Sequence, residues 1–529
     1  MLRSTFLGYK TATSALKVNQ NMLDIVGQNM SNINTQGYTR QRLDINSVSF
    51  STSNIKLGTS GVIIGQGVKA SGVSQFRDSF LDLRYRMEAS KSGSEYVQLE
   101  ALGDLENVFD EISKNGIDAQ FSDLIQQLHS LTSSPSDPVL EGVVRTSAQM
   151  LTQMFNNYAE EIDTIRNQQL NYLEDGAMVK VNQLLDNIAK LNQQIKEDNI
   201  SGNAALELND ERNMLIDELS NYLDIEVKLD PLNIGGGRSI DLLSIKLRDT
   251  SPEIKLVDDN KRLQLEVIED STSNEVKIRT ITNDPDDPYD FDDPDVTDIV
   301  KTDISSSIKG GQLNGYLKFL NGSGEFATTA YDNKGVVYYK NMLDTLANKF
   351  ATVMNEVNKP QYDKDGNPIS DVHKPLFASR NGGEITAGNI KISDEWASST
   401  GSYITNSQVK PTGDNSGATD NILKMISKFK SKEDFKTSTD KALFKGSFQE
   451  FLSFTTTRLN LQVNDVQTSY DTYSETQYQI EYARSSMSSV DLNEEGVNLL
   501  QFSKSYNAAA RLMTTLDEML DTLINRMGV

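Results

Sequence analysis

Leu499-x-x-Phe502-x-x-x-Tyr506-x-x-Ala509-x-x-x-Met513-x-x-Leu516-x-x-x-Leu520-x-x-Leu523-x-x-x-Met527 closes the 529-residue sequence. The apolar positions alternate gaps of three and four over four repeats, the spacing that winds one helix around another. Asp491-Leu-Asn-Glu494 just ahead of it reads as a capping box, with Glu494 and Glu495 at the positive end of the helix dipole. The opposite end of the chain carries a similar but more polar stripe. Leu2, Tyr9, Leu16, Leu23 and Met30 recur every seven residues, and Thr5, Ala12, Asn19, Val26 and Ile33 fill the partner positions. Residues 1–50 hold five basic and two acidic side chains; residues 490–529 hold three basic and six acidic. Matching seams of opposite charge predict that the two ends pair with each other, rather than lie as unrelated amphipathic helices on separate cores.

Working inward, the middle reads as a helical rod. From Val144 the stripe runs Ala148, Leu151, Phe155, Tyr158, Ile162, Ile165, drifts near Gly176, and resumes at Val181, Leu184, Ile188, Leu191, Ile195. One helix over 138–198 is about 90 Å long at 1.5 Å per residue. Further helical patterns cover 448–488, with Tyr470 and Tyr473 on the seam, and 77–111 and Tyr339–Val357. Residues 223–282 alternate instead: Ile225-Glu-Val227-Lys-Leu229, Ile245-Lys-Leu247, Leu263-Gln-Leu265-Glu-Val267 and Val276-Lys-Ile278. Gly235-Gly236-Gly237 and Asp258-Asp259-Asn260 punctuate them as turns. The expected fold is mainly α with a β insert. A terminal coiled-coil domain takes 1–50 and 490–529. A rod takes 51–227 and 301–489, irregular over 360–420. A small β-domain takes 228–300, with its strands satisfying one another, so that it is expected to be separable.

Composition excludes whole classes of chemistry. There is no cysteine, so thiolate metal sites, disulfides and cysteine nucleophiles are out. The two histidines, His129 and His373, are too few for a multi-histidine metal site and sit in no recognisable catalytic motif. The formal charge of −24 disfavours phosphate backbones as partners. No apolar run is long enough to span a membrane, and no Sec-type signal is visible at the first residues. Residues 283–298 hold eight Asp and no basic residue, but their prolines and lack of an EF-hand glycine favour a solvated loop over a calcium site. Asp363-Lys-Asp365-Gly366-Asn367 reads as a β-turn, and Gly235-Gly236-Gly237-Arg238 as a hairpin loop rather than a phosphate cradle. No catalytic, cofactor or metal residue is assigned.

Residues 16–42 contain Asn29-x-x-Asn32-x-x-Thr35-x-Gly37-Tyr38-x-Arg40. This resembles the N-terminal signature of the bacterial flagellar rod, hook and hook-associated superfamily, with Ser31 where rod proteins usually have Ala. Val490-Asp-Leu-Asn-Glu-Glu495, Leu499-Leu-Gln-Phe and Asp517-Glu-Met-Leu-Asp-Thr-Leu-Ile-Asn525 resemble its C-terminal helix. The helical middle, with Gly310-Gly-Gln-Leu-Asn-Gly315 before a helix, is similar to the hook–filament junction family within it.

The resemblance implies a structural adaptor, not an enzyme, in the extracellular flagellum. It implies export by the flagellar type III route without a cleaved Sec signal. Its implied partners are further copies of itself in a ring-like zone, the hook protein, the second junction protein (hook-associated protein 3), and an export chaperone near the C-terminus, with no nucleic acid, membrane or cofactor. A hook-type axial protein, or a secreted cell-wall-acting enzyme on a structural frame, are the alternatives. The expected assembly seam is Leu16, Leu23, Val26, Met30, Leu499, Phe502, Tyr506, Met513, Leu516, Leu520 and Leu523. Ordering isolated terminal helices costs about as much as their stripes gain, so both ends are expected to be loose in a monomer and to fold on assembly.

Overall fold

The computed structural model describes residues 5–48, 67–114, 116–235, 238–270, 273–282, 289, 300–327, 333–362, 367, 374–410, 417–522 and 525. Leu2, Leu523, Met527, His373, Gly236, Gly237, and all of the acidic stretch 283–298 except Tyr289 lie outside them, as does Asp363–Gly366.

The long helices form where the sequence stripe demands one buried face. Helix α2 (Ser79–Lys114) runs antiparallel to α11 (Phe448–Ser488): Arg484 lies over the Tyr85 ring, Lys91 over Tyr473, and Tyr96 meets Tyr470 with ring centroids 5.9 Å apart. Ser447 starts α11 with a full capping box to Glu450. Helix α4 (Pro138–Asn171) begins on Asp137, whose carboxylate accepts from the Val139 amide, with Pro138 pre-set for the first turn. It continues without a break through a π-helical segment, Tyr172–Met178, into α5 (Val179–Ser201). This segment surrounds Gly176, where the stripe drifts. A π turn takes more residues than an α turn, so each residue rotates less, and Val181 and Leu184 return to the buried face.

Shorter helices complete the rod: α3 (Ile117–Leu131), α6 (Leu206–Tyr222), α7 (Gly311–Asn321), α8 (Val336–Asn358), α9 (Asp394–Ser398) and α10 (Asp420–Lys430). Phe121, Phe350, Phe429 and Phe448 meet at its centre, with ring centroids 5.4–6.1 Å apart. The irregular stretch after 374 is pinned to α4 by one buried carboxylate: Glu141 accepts from Trp396 Nε1 at 3.1 Å and from the Tyr403 amide at 2.9 Å. Within it Ile390–Ile392 pairs antiparallel with Phe377–Ser379.

The β insert forms two antiparallel sheets. Strands β3 (Ile225–Gly235), β4 (Arg238–Leu247), β5 (Lys255–Asp258) and β6 (Lys261–Arg262) make one; β7 (Gln264–Glu269), β8 (Val276–Thr282) and β9 (Val300–Asp303) make the other. The insert is not self-contained, contrary to expectation. Ile245, Val257, Leu265 and Ile278 share one apolar cluster with Leu184, Ile188 and Leu317 of the helices. Asn321 of α7 bonds both the amide and the carbonyl of Val276, and Asn182 of α5 does the same for Leu265. Helix side chains therefore complete the strands.

The terminal boundaries also differ from those read in sequence. Helix α1 (Thr5–Ser31) stops well short of residue 50, so Ile33 is not on its stripe. Strand β1 (Gln41–Ser47) follows and pairs antiparallel with β2 (Val68–Gln75), which therefore belongs to this hairpin and not to the rod. The rod begins at Ser79.

Candidate functional site: the terminal helix pair and its collar

Helix α12 (Leu492–Asp521) packs along α1, so the ends of the chain pair within one molecule. On α12 Ala509 is buried, and Phe502, Met513, Leu516 and Leu520 are half-buried, while Leu499 and Tyr506 are exposed. On α1 the pattern shifts. Ala12 and Val26, both on the sequence stripe, are buried, but Leu16, Leu23 and Met30 are only half-buried, while Val18 and Asn29, off that stripe, are buried. The cause is a second contact. α1 also packs on β1 and β2, so it buries two faces where a two-stranded coil buries one. The pair is formed in a single chain, where it was expected to form only on assembly. Among the described residues it shares none of the rod's main apolar cluster.

The Asn29–Arg40 motif builds the collar between this pair and the rod. Asn29, 1% exposed, donates to the Gln41 carbonyl at 2.9 Å and accepts from the Gln41 amide at 3.0 Å and the Tyr38 hydroxyl at 2.9 Å. One side chain thus ends α1 and starts β1. Asn32 accepts from Thr35 Oγ1 at 3.2 Å, and the Thr35 amide bonds the Asn32 carbonyl, closing a turn. Gly37 continues that turn at φ +78°, a left-handed conformation that strains any side chain. Burial first, then the nearby carboxylates Glu207, Asp210 and Glu495, push the Tyr38 hydroxyl up to about 12, so it stays a hydrogen-bond donor.

Arg40 is the joint. Its Nε donates to Glu495 at 2.7 Å, and its two terminal nitrogens grip Glu494 at 2.9 Å each. Its own amide bonds the Ser488 carbonyl of α11, and its carbonyl accepts from Phe76. The expected capping box at 491–494 is therefore half correct. Asp491 accepts from the Asn493 and Glu494 amides, but the Glu494 side chain is turned to Arg40 instead of back to the cap.

Behind the collar runs a chain of ion pairs that the sequence did not suggest. Thr39 bonds Asp210 through both its amide and its hydroxyl. Arg77 meets Asp82 at 2.6 Å; Arg484 bridges Asp82 at 3.1 Å and Asp217 at 2.6 Å; Arg86 holds the other Asp217 oxygen at 2.6 Å. Burial alone would lower the Arg484 guanidinium, but Asp217, Asp82 and Glu481 together outweigh it and hold it above its usual value. This network ties the collar to α2, α6 and α11 at once. Partly buried carboxylate–guanidinium pairs contribute far more to position than exposed ones.

Beyond the seam, α12 keeps exposed apolar residues on its outer side. Val497, Leu500, Leu512 and Met519 are 49–62% exposed. At 3.6 residues per turn they fall within an arc of roughly 120° centred away from the seam. No group of three or more metal-ligating side chains is placed to hold an ion among the described residues, and no described helix is long and apolar enough to cross a membrane.

Comparison with known proteins follows the same lines. Residues 102–373 match the model of the flagellar hook-associated protein FlgK helical domain, and residues 484–527 that of the flagellar basal body rod FlgEFG protein C-terminal region. The flagellar hook-associated protein 1 of Bacillus subtilis is 30% identical over 100% of this chain and 99% of its own length. Its counterpart in Salmonella typhimurium is 24% identical over 76% of this chain and 64% of the relative. The solved flagellar hook junction protein FlgK of Burkholderia pseudomallei superposes with a TM-score of 0.56 at 12% identity, covering 77% of this chain and all of that one, a likeness of fold. The chain belongs to the flagellar hook-associated protein 1 (FlgK) family and is a structural component of the bacterial flagellum at the hook–filament junction.

Proposed function

We propose that the terminal helix pair is the assembly element of this junction protein. In this reading α1 and α12 spend their seam on each other, and the outer arc of α12 docks on neighbouring copies to build a short ring-like zone. The hook protein lies on one side of that zone and hook-associated protein 3 on the other. The motif residues Asn29, Asn32, Thr35, Gly37, Tyr38 and Arg40 set the angle of the pair on the rod. The chain reaches its place by the flagellar type III route without a cleaved Sec signal, with a chaperone near its C-terminus. Its role is mechanical, not catalytic.

The observation that carries this is the exposed arc of Val497, Leu500, Leu512 and Met519 on a helix whose other side is already occupied. Each large apolar side chain gains about 1.5–3 kcal/mol when fully buried, enough together to hold copies in register. The test is a full-length chain carrying Leu500→Asp and Leu512→Asp, compared with wild type in thermal melting and in restoring swarming to cells lacking the protein. The melting temperature should hold while swarming is lost. Restored swarming would defeat the proposal.

A further inference from the structure

A groove of about 580 Å³ opens where β2, the α5–α6 turn and the β3–β4 hairpin converge. Its lining is rich in donors: Ser71, Asn203, Asn209, Arg212, Arg238 and Ser239. Arg212 is 7% exposed. It donates through Nη1 to Asn192 Oδ1 at 2.9 Å and through Nη2 to Asn209 Oδ1 at 2.7 Å, both neutral acceptors. Its Nε–H has no hydrogen-bond partner. Arg238, on the exposed rim, donates to the carbonyls of Asn199 and Ile200, at 3.0 Å each. Among the described residues no carboxylate forms an ion pair with either arginine, although Asp241 also lines the groove. Arg40, Arg77, Arg86 and Arg484 each pair with a carboxylate.

A desolvated guanidinium without a counter-charge is costly. Here burial, and then the neighbouring Arg86 and Arg77, pull the Arg212 pKa down to about 10, so it is still charged at neutral pH. Guanidinium groups match the paired oxygens of carboxylate and phosphate by shape as well as by charge.

We propose that this groove is an oxyanion site, taking a carboxylate or phosphate group on Arg212 and Arg238. The groove is larger than a bare ion, which fits an anion carried on a bigger molecule. That molecule is either an acidic side chain of a second copy or a free phosphate- or carboxylate-bearing compound. The site lies beside β2 of the collar hairpin, so filling it would brace the hairpin against the α5–α6 end of the rod. This goes beyond the assembly reading and does not depend on it.

The test is calorimetric titration of inorganic phosphate into the full-length chain at fixed ionic strength, with Arg238→Gln and Arg212→Gln alongside. The expected result is saturable binding of one phosphate per chain, weakened at least tenfold in either variant. Arg238 is exposed, so Arg238→Gln should keep the wild-type melting temperature and decides the matter if Arg212→Gln fails to fold. Sedimentation in saturating phosphate then separates the sources. Loss of self-association assigns the site to a second copy's carboxylate, and unchanged association assigns it to a free anion. No saturable binding by the wild type, or equal binding by Arg238→Gln, would overturn the proposal.

Discussion

Arg40 Nε lies 2.7 Å from Glu495 Oε1, joining positions 455 residues apart in the sequence. The Glu495 side chain is 2% exposed and that of Arg40 14%, so this is a largely desolvated pair. It fixes the start of α12 to the end of the collar turn. Replacing Arg40 leaves a buried carboxylate without its partner, which is far costlier than losing a surface pair. Arg40→Gln should favour detachment of α12 by about 2–4 kcal/mol. The rod does not share this contact, so its melting should move little. Limited proteolysis checks both parts: α12 should be trimmed quickly from the variant while the fragment ending near Ser488 persists.

Gly37→Ala tests the collar turn. The added Cβ meets Met214 Sδ, but that side chain is 38% exposed and free to swing away. The φ of +78° is the real obstacle. The substitution should destabilise the collar by about 1–2 kcal/mol. Adding Met214→Ala should restore almost none of it. Full rescue by the double variant, in hydrogen exchange of the 35–47 amides, would show that contact and not backbone strain is what excludes a side chain.

Gly315 marks a close helix crossing. A Cβ there would sit 2.6 Å from the Ser94 carbonyl and 3.0 Å from Val97 Cβ, because α7 lies directly on α2. The backbone carbonyl cannot move aside cheaply. Gly315→Ala should lower stability by about 1–3 kcal/mol, read as a shift of the denaturant midpoint. Gly103→Ala, on the same α2 helix with open space around it, should be neutral or slightly stabilising.

The long helices were legible because a period of three and four residues leaves little choice of buried face. Even the drift at Gly176 had a meaning, the π segment. Other features left no such trace. The segment Val68–Gln75 lacks the apolar alternation of a strand; it is held by backbone pairing with β1 and by Ser74 and Ser71 bonding to Asp44. Three residues of the motif, Asn29, Asn32 and Thr35, are polar because they close a turn, and a resemblance flags them without saying so. The Asp82–Arg484–Asp217–Arg86 chain joins positions hundreds of residues apart, and nothing local in the sequence marks an arginine as the partner of one aspartate over another. The insert looked independent because alternation reports strands, not what covers them.

Asp344 gives the protein a pH dependence. Burial is the main cause that raises its carboxyl from 3.8 to about 6, against the Ala387 amide, which donates to it at 2.7 Å. A carboxyl that holds its proton more tightly when folded stabilises the fold at low pH. That contribution is lost as pH rises through the folded value. Between pH 4 and 7 this single group should cost about 1–3 kcal/mol. Asp344→Asn keeps the oxygen that accepts from Ala387, so it should be more stable than wild type at pH 7 and indistinguishable from it near pH 4. Parallel urea titrations at the two pH values would show this; an equal difference at both would place the cause elsewhere.

The complete absence of cysteine allows a direct test of the terminal pair as the assembly interface. Leu512→Cys places one thiol on the outer arc of α12, at a position 49% exposed, and Val139→Cys places a control on α4, at one 74% exposed. The measurement is the rate of maleimide labelling in the purified chain and in intact flagella. Both thiols should label rapidly in the free chain, and assembly should protect position 512 while leaving position 139 reactive. Equal labelling of position 512 in the free chain and in flagella would contradict the account.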